Sequence, residues 1–426
     1  MGPVSAERPA AATDTPALLA YGVLGLPLAF AALPVYVHVP ALYGGALGIP
    51  LAWVGAVLLA CRAVDALTDP LIGWFSDRRA DRRRLTYAGL PLLLLGVLLL
   101  LDPPSGAGPA WLAGALLLAT LGYSISTINH TAWAAELGGG RHARASAIAA
   151  REGFGLLGVV LAAALPGLLS QDPRAGLAAL AAILLPLALA AALVSQRWAP
   201  PSRPMAAQAA SPLAAWRSAF AQPPVRHLLL VLGVSATAAA IPSATVMFFI
   251  ADVLQAERWT GAFLALYFLA GAAGLPLWLR LARKVGKAQA WAVAMGLAMG
   301  AFAWAATLGP GDVRQYATLC LLSGLALGAD LALPPAILSD LVARGRDEAR
   351  SGTWFGLWNL VTKASLGLAA GLALPLLAWL GFRSGGGAQA GLAALSLVYG
   401  LLPIVFKALA LVLLLRWRTD FREDAS

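Results

Sequence analysis

The chain is poor in charge. Only 12% of its 426 residues are Asp, Glu, Lys or Arg, while 60% are hydrophobic, and its mean hydropathy is +0.77. A soluble domain carries roughly a quarter charged residues, so a water-soluble globular fold is excluded and a polytopic membrane protein is implied. Cysteine is scarce as well. Cys61 and Cys320 are the two present, each inside an apolar run, which excludes a disulfide framework and a zinc site. His, Cys and the acids nowhere fall at the spacing of a nucleophile–base set or a metal cluster, so no enzyme and no cofactor are expected. The first residues, MGPVSAERPAAATDTP, lack the basic-then-apolar pattern of a signal peptide, and the first apolar run is expected to stay as a span.

The period-2 alternation of a membrane barrel is missing too. The apolar runs are continuous and about 20 residues long, as membrane helices require. Twelve can be counted, near 17–39, 50–75, 86–102, 109–135, 147–170, 174–196, 225–251, 259–282, 288–308, 315–340, 351–380 and 389–416. The polar stretch between the sixth and seventh divides the chain. This predicts a tail at 1–16, a six-helix bundle at 17–196, a linker at 197–224, a second bundle at 225–416 and a tail at 417–426.

What charge there is has one dominant sign. The net charge is +10 and the pI about 10.1, yet no long basic tract with interleaved aromatics exists, so nucleic acid is not an expected partner. The basic residues follow even-numbered runs instead: Arg78 to Arg84, Arg141 and Arg144, Arg280 to Lys287, and Arg344 to Arg350. The positive-inside rule then predicts that both termini and the linker are cytoplasmic, in a bacterial inner membrane.

The halves read as a duplication. Trp74 and Trp278 each open a Trp-then-basic stretch 204 residues apart, and Glu136-Leu137 and Asp340-Leu341 end runs four and ten at the same offset. Parallel six-helix repeats predict an all-α membrane protein with twelve spans in the major facilitator fold, two pseudo-symmetric six-helix bundles.

The most informative residues break the apolar pattern of run two: Arg62, Asp65, Thr68, Asp69 and Pro70. A carboxylate at bilayer depth costs roughly 2.5–3.5 kcal/mol on insertion scales, so intramembrane acids point to function. Spacings of three and four put Arg62, Asp65 and Asp69 on one helix face. Pro70 lacks an N–H and frees the carbonyl of Ala66, beside two carboxylates and a hydroxyl. Such an oxygen group suits a sodium ion or a shared proton. Lys363, deep in run eleven, is an equally costly charge. In a facilitator fold it would face run two and complete a formally neutral cluster of four. The 204-residue offset carries Asp65 and Asp69 to Leu269 and Ala273, so the acid pair belongs to one half only. A purely structural ion network is the competing reading.

The block Arg62-x-x-Asp65-x-x-Thr68-Asp69-Pro70-x-x-Gly73, running into Asp77-Arg78, resembles the glycoside–pentoside–hexuronide:cation symporters, the melibiose-permease-like branch of the major facilitator superfamily. Arg350 to Gly356 through Lys363, Trp278 to Lys287, and Ile128 to Leu137 with Arg144 and Arg151 are similar to other stretches of that family. The resemblance implies cation ligation by Asp65 and Asp69, a nearby hydroxyl from Ser124, an essential lysine at Lys363, and Arg151 near the sugar site. Gly73, Asp77 and Arg78 resemble the facilitator loop signature, which implies a cytoplasmic gate with Glu136 and Asp340, the last near Arg344. Sugar-binding members carry an acid in helix 1 and another in helix 4; here run one has none and Thr127 takes the second position.

Other candidates for the substrate region are His130, in a polar knot with Asn129 and Thr131 expected to line a cavity, Trp133, Trp354, Trp358, Asn359 one turn before Lys363, and Asp330, a mid-run acid without an evident partner. The tryptophans are equally at home in packing or at the interface. The expected function is alternating-access symport of a small solute, sugar or glycoside-like by resemblance, coupled to Na+ or H+, by a monomer. The alternatives are a proton-driven exporter of amphipathic or cationic compounds and a lysolipid transporter, since animal relatives of the group carry lipids.

Overall fold

A computed structural model describes residues 15–78, 81–135, 137, 140–202, 220–344, 351–385 and 389–421. Among them there is no strand. Among the described residues twelve helices are long and apolar enough to cross a membrane. They are α1 (Thr15–Ala46), α2 (Leu51–Arg78), α3 (Arg82–Leu101), α4 (Pro109–Ala135), α5 (Gly140–Leu169), α6 (Pro173–Trp198), α7 (Pro223–Val253), α8 (Thr260–Val285), α9 (Lys287–Ala305), α10 (Val313–Arg344), α11 (Ser351–Trp379) and α12 (Gln389–Arg416). Several extend past the apolar run that announced them. α3 begins on three arginines because Asp81 caps it, accepting from the backbone N–H of Arg84 at 2.9 Å.

The duplication has a local signature. α1 and α7 both end in a five-residue π turn, Leu42–Ala46 and Phe249–Val253. The closing bonds are equivalent: Leu47 N–H to Leu42 C=O and Leu254 N–H to Phe249 C=O, each 3.0 Å, then Ile49 to Tyr43 at 2.9 Å and Ala256 to Ile250 at 3.0 Å. π turns are rare, so the same one at both places marks a shared ancestral unit. Packing repeats as well. α1 lies on α5 as α7 lies on α11, and α2 on α4 as α8 on α10.

The halves meet through α2 with α11, α5 with α8, and α1 with α7. α1 and α7 are accordingly the most buried spans, at 72% and 67%. In lipid such contacts rest on van der Waals packing, which small residues permit. A side chain on Gly55 would strike the Ala370 carbonyl at 2.9 Å, one on Gly371 would meet Leu59 at 2.9 Å, and one on Gly367 would lie 2.5 Å from Arg62 Cγ. These contacts step down one seam between α2 and α11. At its top, far from the termini, a Cβ on Gly45 of α1 would lie 3.0 Å from Ser384 Oγ.

Within the N-terminal half the tightest seam joins α3 and α4. A Cβ on Gly96 would fall 2.2 Å from the Ala119 backbone nitrogen, and backbone cannot yield as a flexible side chain can. Gly96→Val is expected to lower the thermal unfolding midpoint of the purified protein, by overpacking of about 1–3 kcal/mol. Gly114→Ala meets open space and is expected to leave the midpoint nearly unchanged. Equal shifts for the two would contradict this packing.

Candidate functional site

α2 carries the site because three polar residues share one face while Leu67 and Leu71 are exposed on another. Arg62 Nη1 donates to Asp65 Oδ2 at 2.6 Å, with 5% and 3% of the two side chains exposed. The guanidinium also lies 5.1 Å from the centroid of the Tyr36 ring of α1, a cation–π contact. Asp69 turns instead to the other half of the molecule, where Lys363 of α11 donates to its Oδ2. The same ammonium donates to Ser124 Oγ of α4 at 2.9 Å. Three helices from both halves thus converge on one ammonium group. Asp69 Oδ1 is buried and accepts no hydrogen bond, although the opposite oxygen is paired.

The four charges expected as one cluster are therefore two ion pairs. One is internal to α2; the other is the lowest rung of the α2–α11 seam. Lys363, Gly367 and Gly371 are spaced by four, so they lie along one stripe of α11. The glycines bring the helices close enough for the lysine below to reach Asp69. Asp69 lies about 27 Å along α2 from Leu51 at 1.5 Å per residue, nearer the end that bears the termini than the middle expected from sequence.

Other predicted residues lie elsewhere. Thr68 donates back to the carbonyl of Asp65 at 3.4 Å, a weak contact that turns its hydroxyl to its own helix. Thr127 Oγ1 is buried in α4 with no hydrogen-bond partner. His130 and Trp133 are fully buried; the cavity lining expected of His130 is not what its surroundings form, and Trp133 packs in the interior. Tyr21 OH donates to the His130 carbonyl at 2.6 Å, His130 Nε2 lies 3.0 Å from the Tyr21 carbonyl, and Trp133 donates to Pro200 at 3.1 Å. They tie α4 to α1 and to the start of the linker. Arg151 of α5 pairs with its neighbour Glu152 at 3.1 Å, outside the Lys363 network. Trp358 packs half-buried in the C-terminal core, while Asn359 is exposed.

At the end bearing the termini, Gly73 faces open space. Asp340 is paired with Lys287 at the start of α9, at 2.5 Å; the side chain of Arg344 lies outside the described residues. Asp77 and Arg78 close α2, but their side chains, like that of Trp354, lie outside the described residues, as does Glu136.

Asp330 has the partner that sequence did not reveal. Lys407 of α12 donates to its Oδ2 at 2.6 Å, and Trp291 of α9 donates to Oδ1 at 2.7 Å. Lys407 was detectable as a lone cation in GLLPIVFKALALVLLL, by the same depth argument that singled out Lys363. Tyr36 carried no such signal, because an aromatic in an apolar helix reads as packing.

Two duplicated six-helix bundles with charged groups at their interface define the major facilitator fold. The model of the MFS/sugar transport protein family matches residues 18–420, and the chain belongs to that family. It is a membrane transporter of a small molecule, and not an enzyme. No curated protein matches it. A bacterial homolog of the human lysosomal transporter Spinster, in an inward-facing unoccupied conformation, is similar in structure with a TM-score of 0.74 and 15% identity, over 96% of this chain and 98% of that one. The nucleoside transporter NupG is similar with a TM-score of 0.66 and 13% identity, over 96% of this chain and all of that one. Identities this low show a shared fold.

The seam gives a direct test. Cysteines at positions 45 and 384 are expected to cross-link readily in the otherwise unchanged protein. Gly367→Leu drives a side chain into Arg62 and is expected to cut the cross-linking rate several-fold. An unchanged rate would mean that the seam does not hold that end closed.

Proposed function

We propose that this protein is a cation-coupled symporter of a small solute, in which Na+ or H+ competes with Lys363 for Asp69. The observation that carries this reading is the ammonium of one half seated on the carboxylate of the other, with Ser124 as a third member and Asp69 Oδ1 unpartnered. A bare carboxylate in a membrane is costly. Asp69 therefore needs a positive partner, and Lys363 and an incoming cation are mutually exclusive choices. With Lys363 as partner, α2 and α11 are tied. With a cation as partner, that tie is released and Lys363 is free to turn to the solute.

Ser124 supplies a hydroxyl within reach of the same point, and hard monovalent cations favour such oxygen groups. The Arg62–Asp65 pair stands one turn away as a formally neutral unit that keeps Asp65 near. Asp69 and Ser124 act as direct ligands, and Asp65 is a neighbour that joins them only if Arg62 turns away. The family to which the chain belongs favours a sugar or glycoside-like cargo, though the helix-1 and helix-4 acids of sugar-binding relatives are absent. Both termini are assigned to the cytoplasm from the loop charges.

Uptake into proteoliposomes tests the proposal. A panel of labelled sugars and glycosides is offered under an imposed Na+ or H+ gradient. Accumulation of at least one solute above equilibrium is expected, lost in Asp69→Asn. Lys363→Ala is expected to keep downhill exchange while losing gradient-driven accumulation at least tenfold. Accumulation by Lys363→Ala equal to that of the unaltered protein would refute the competition.

A further inference from the structure

The C-terminal half holds a second buried charge pair. Asp330 lies about 15 Å along α10 from Asp340 at 1.5 Å per residue. Its carboxylate is held by three neighbours: Lys407 at 2.6 Å on Oδ2, and Trp291 at 2.7 Å and Ser235 at 3.5 Å on Oδ1; Tyr267 of α8 lines the same void. Lys407 also donates to Ser235 Oγ of α7 at 2.8 Å. Among the described residues Lys407 is the charged side chain that pairs with Asp330. Replacing a buried pair by apolar residues is often neutral or stabilising, so bundle stability alone does not account for it.

The two partners are unequally accessible. Asp330 keeps 22% of its side chain exposed and Lys407 only 6%. The carboxylate faces a void inside the bundle with room for about one or two water-sized groups. Tyr267, Met299, Phe302, Ser323, Pro403 and Ile404 contribute to its walls. A guest entering this void meets a carboxylate first, in an aromatic, thioether and aliphatic setting that suits an alkylammonium group. Lys407 itself is an alkylammonium on that carboxylate, held from behind.

We propose that Asp330 is a binding site for a small protonated amine, which displaces Lys407 and drives out its proton. The exchange balances. The incoming cation brings one positive charge to Asp330. One N–H bond of the Lys407 ammonium breaks, the proton leaves to water through the void, and the electron pair stays on Nζ. The neutral amine then remains on Ser235. The buried charge is unchanged, which is the condition for the swap at this depth. The site is separate from Asp69, and it implies exchange of an organic cation against a proton in the C-terminal half.

Methylammonium binding to the purified full chain, by calorimetry at constant ionic strength, tests this, with choline as an oversized control. Release of one proton per amine makes affinity rise about tenfold per pH unit, and a pH-indicator dye in weak buffer should record that proton. Asp330→Asn should abolish binding. Lys407→Met should bind more tightly, by about tenfold or more, without pH dependence. If Lys407→Met does not fold, the dye signal in the unaltered protein and its loss in the neutral Asp330→Asn, Lys407→Met double variant decide. No heat and no released proton in the unaltered protein, or binding retained by Asp330→Asn, would overturn the proposal. Asp69 is intact throughout, so that outcome leaves the α2–α11 reading untouched.

Discussion

A charge inside an apolar bundle must have a partner, and this protein places the partner of Asp69 in the other half of the molecule. Within either half a buried pair could be satisfied without consequence for the arrangement of the halves. Across the interface it cannot. Lys363 reaches Asp69 only while α2 and α11 lie together, and they lie together only because Gly55, Gly367 and Gly371 leave no side chain between them. Electrostatic neutrality and helix packing are thus one condition. Whatever supplies Asp69 with another positive partner also removes a reason for the seam to stay shut.

Symmetry supplies the scaffold and its breaking supplies the chemistry. The paired π turns of α1 and α7 and the equivalent helix contacts show two copies of one unit. Their charges differ. The N-terminal half has Arg62, Asp65 and Asp69 on its second helix; the C-terminal half has Asp330 and Lys407 on its fourth and sixth. Two copies of one unit share their packing, and their distinct charges give each half a charge pair of its own.

Much of this was legible in the sequence. Twelve apolar runs of spanning length, loop charges in alternate positions and the 204-residue offset lead to the fold, because lipid leaves the backbone few choices. Asp69, Lys363 and Ser124 come together as expected, since intramembrane charges are conspicuous and must be paired. What the sequence hid was the pairing itself. Arg62, three residues from Asp65, takes that acid for itself and divides the expected cluster into two pairs. Lys407 was passed over as Asp330's partner because nothing in the linear order relates α10 to α12. His130 reads as a cavity residue in a polar knot, but its Nε2 lies on a backbone carbonyl of α1, as the Trp133 indole lies on one of the linker, and such carbonyls carry no sequence signal. Asp340 pairs with Lys287 because α9 begins beside the end of α10.

The central claim is that Lys363 and a monovalent cation compete for one carboxylate, and binding affinity tests it most directly. Titrating Na+ into purified protein at fixed pH and ionic strength, and repeating it across pH without Na+, compares the unaltered chain with Lys363→Met. Competition predicts that removing the ammonium tightens binding of Na+, or of H+ if the proton is the coupling ion, by at least about tenfold, since a rival worth about 1.4 kcal/mol or more has gone. Equal affinity for both ions in the two proteins would contradict the account and leave the Lys363–Asp69 bridge as a tie between the halves.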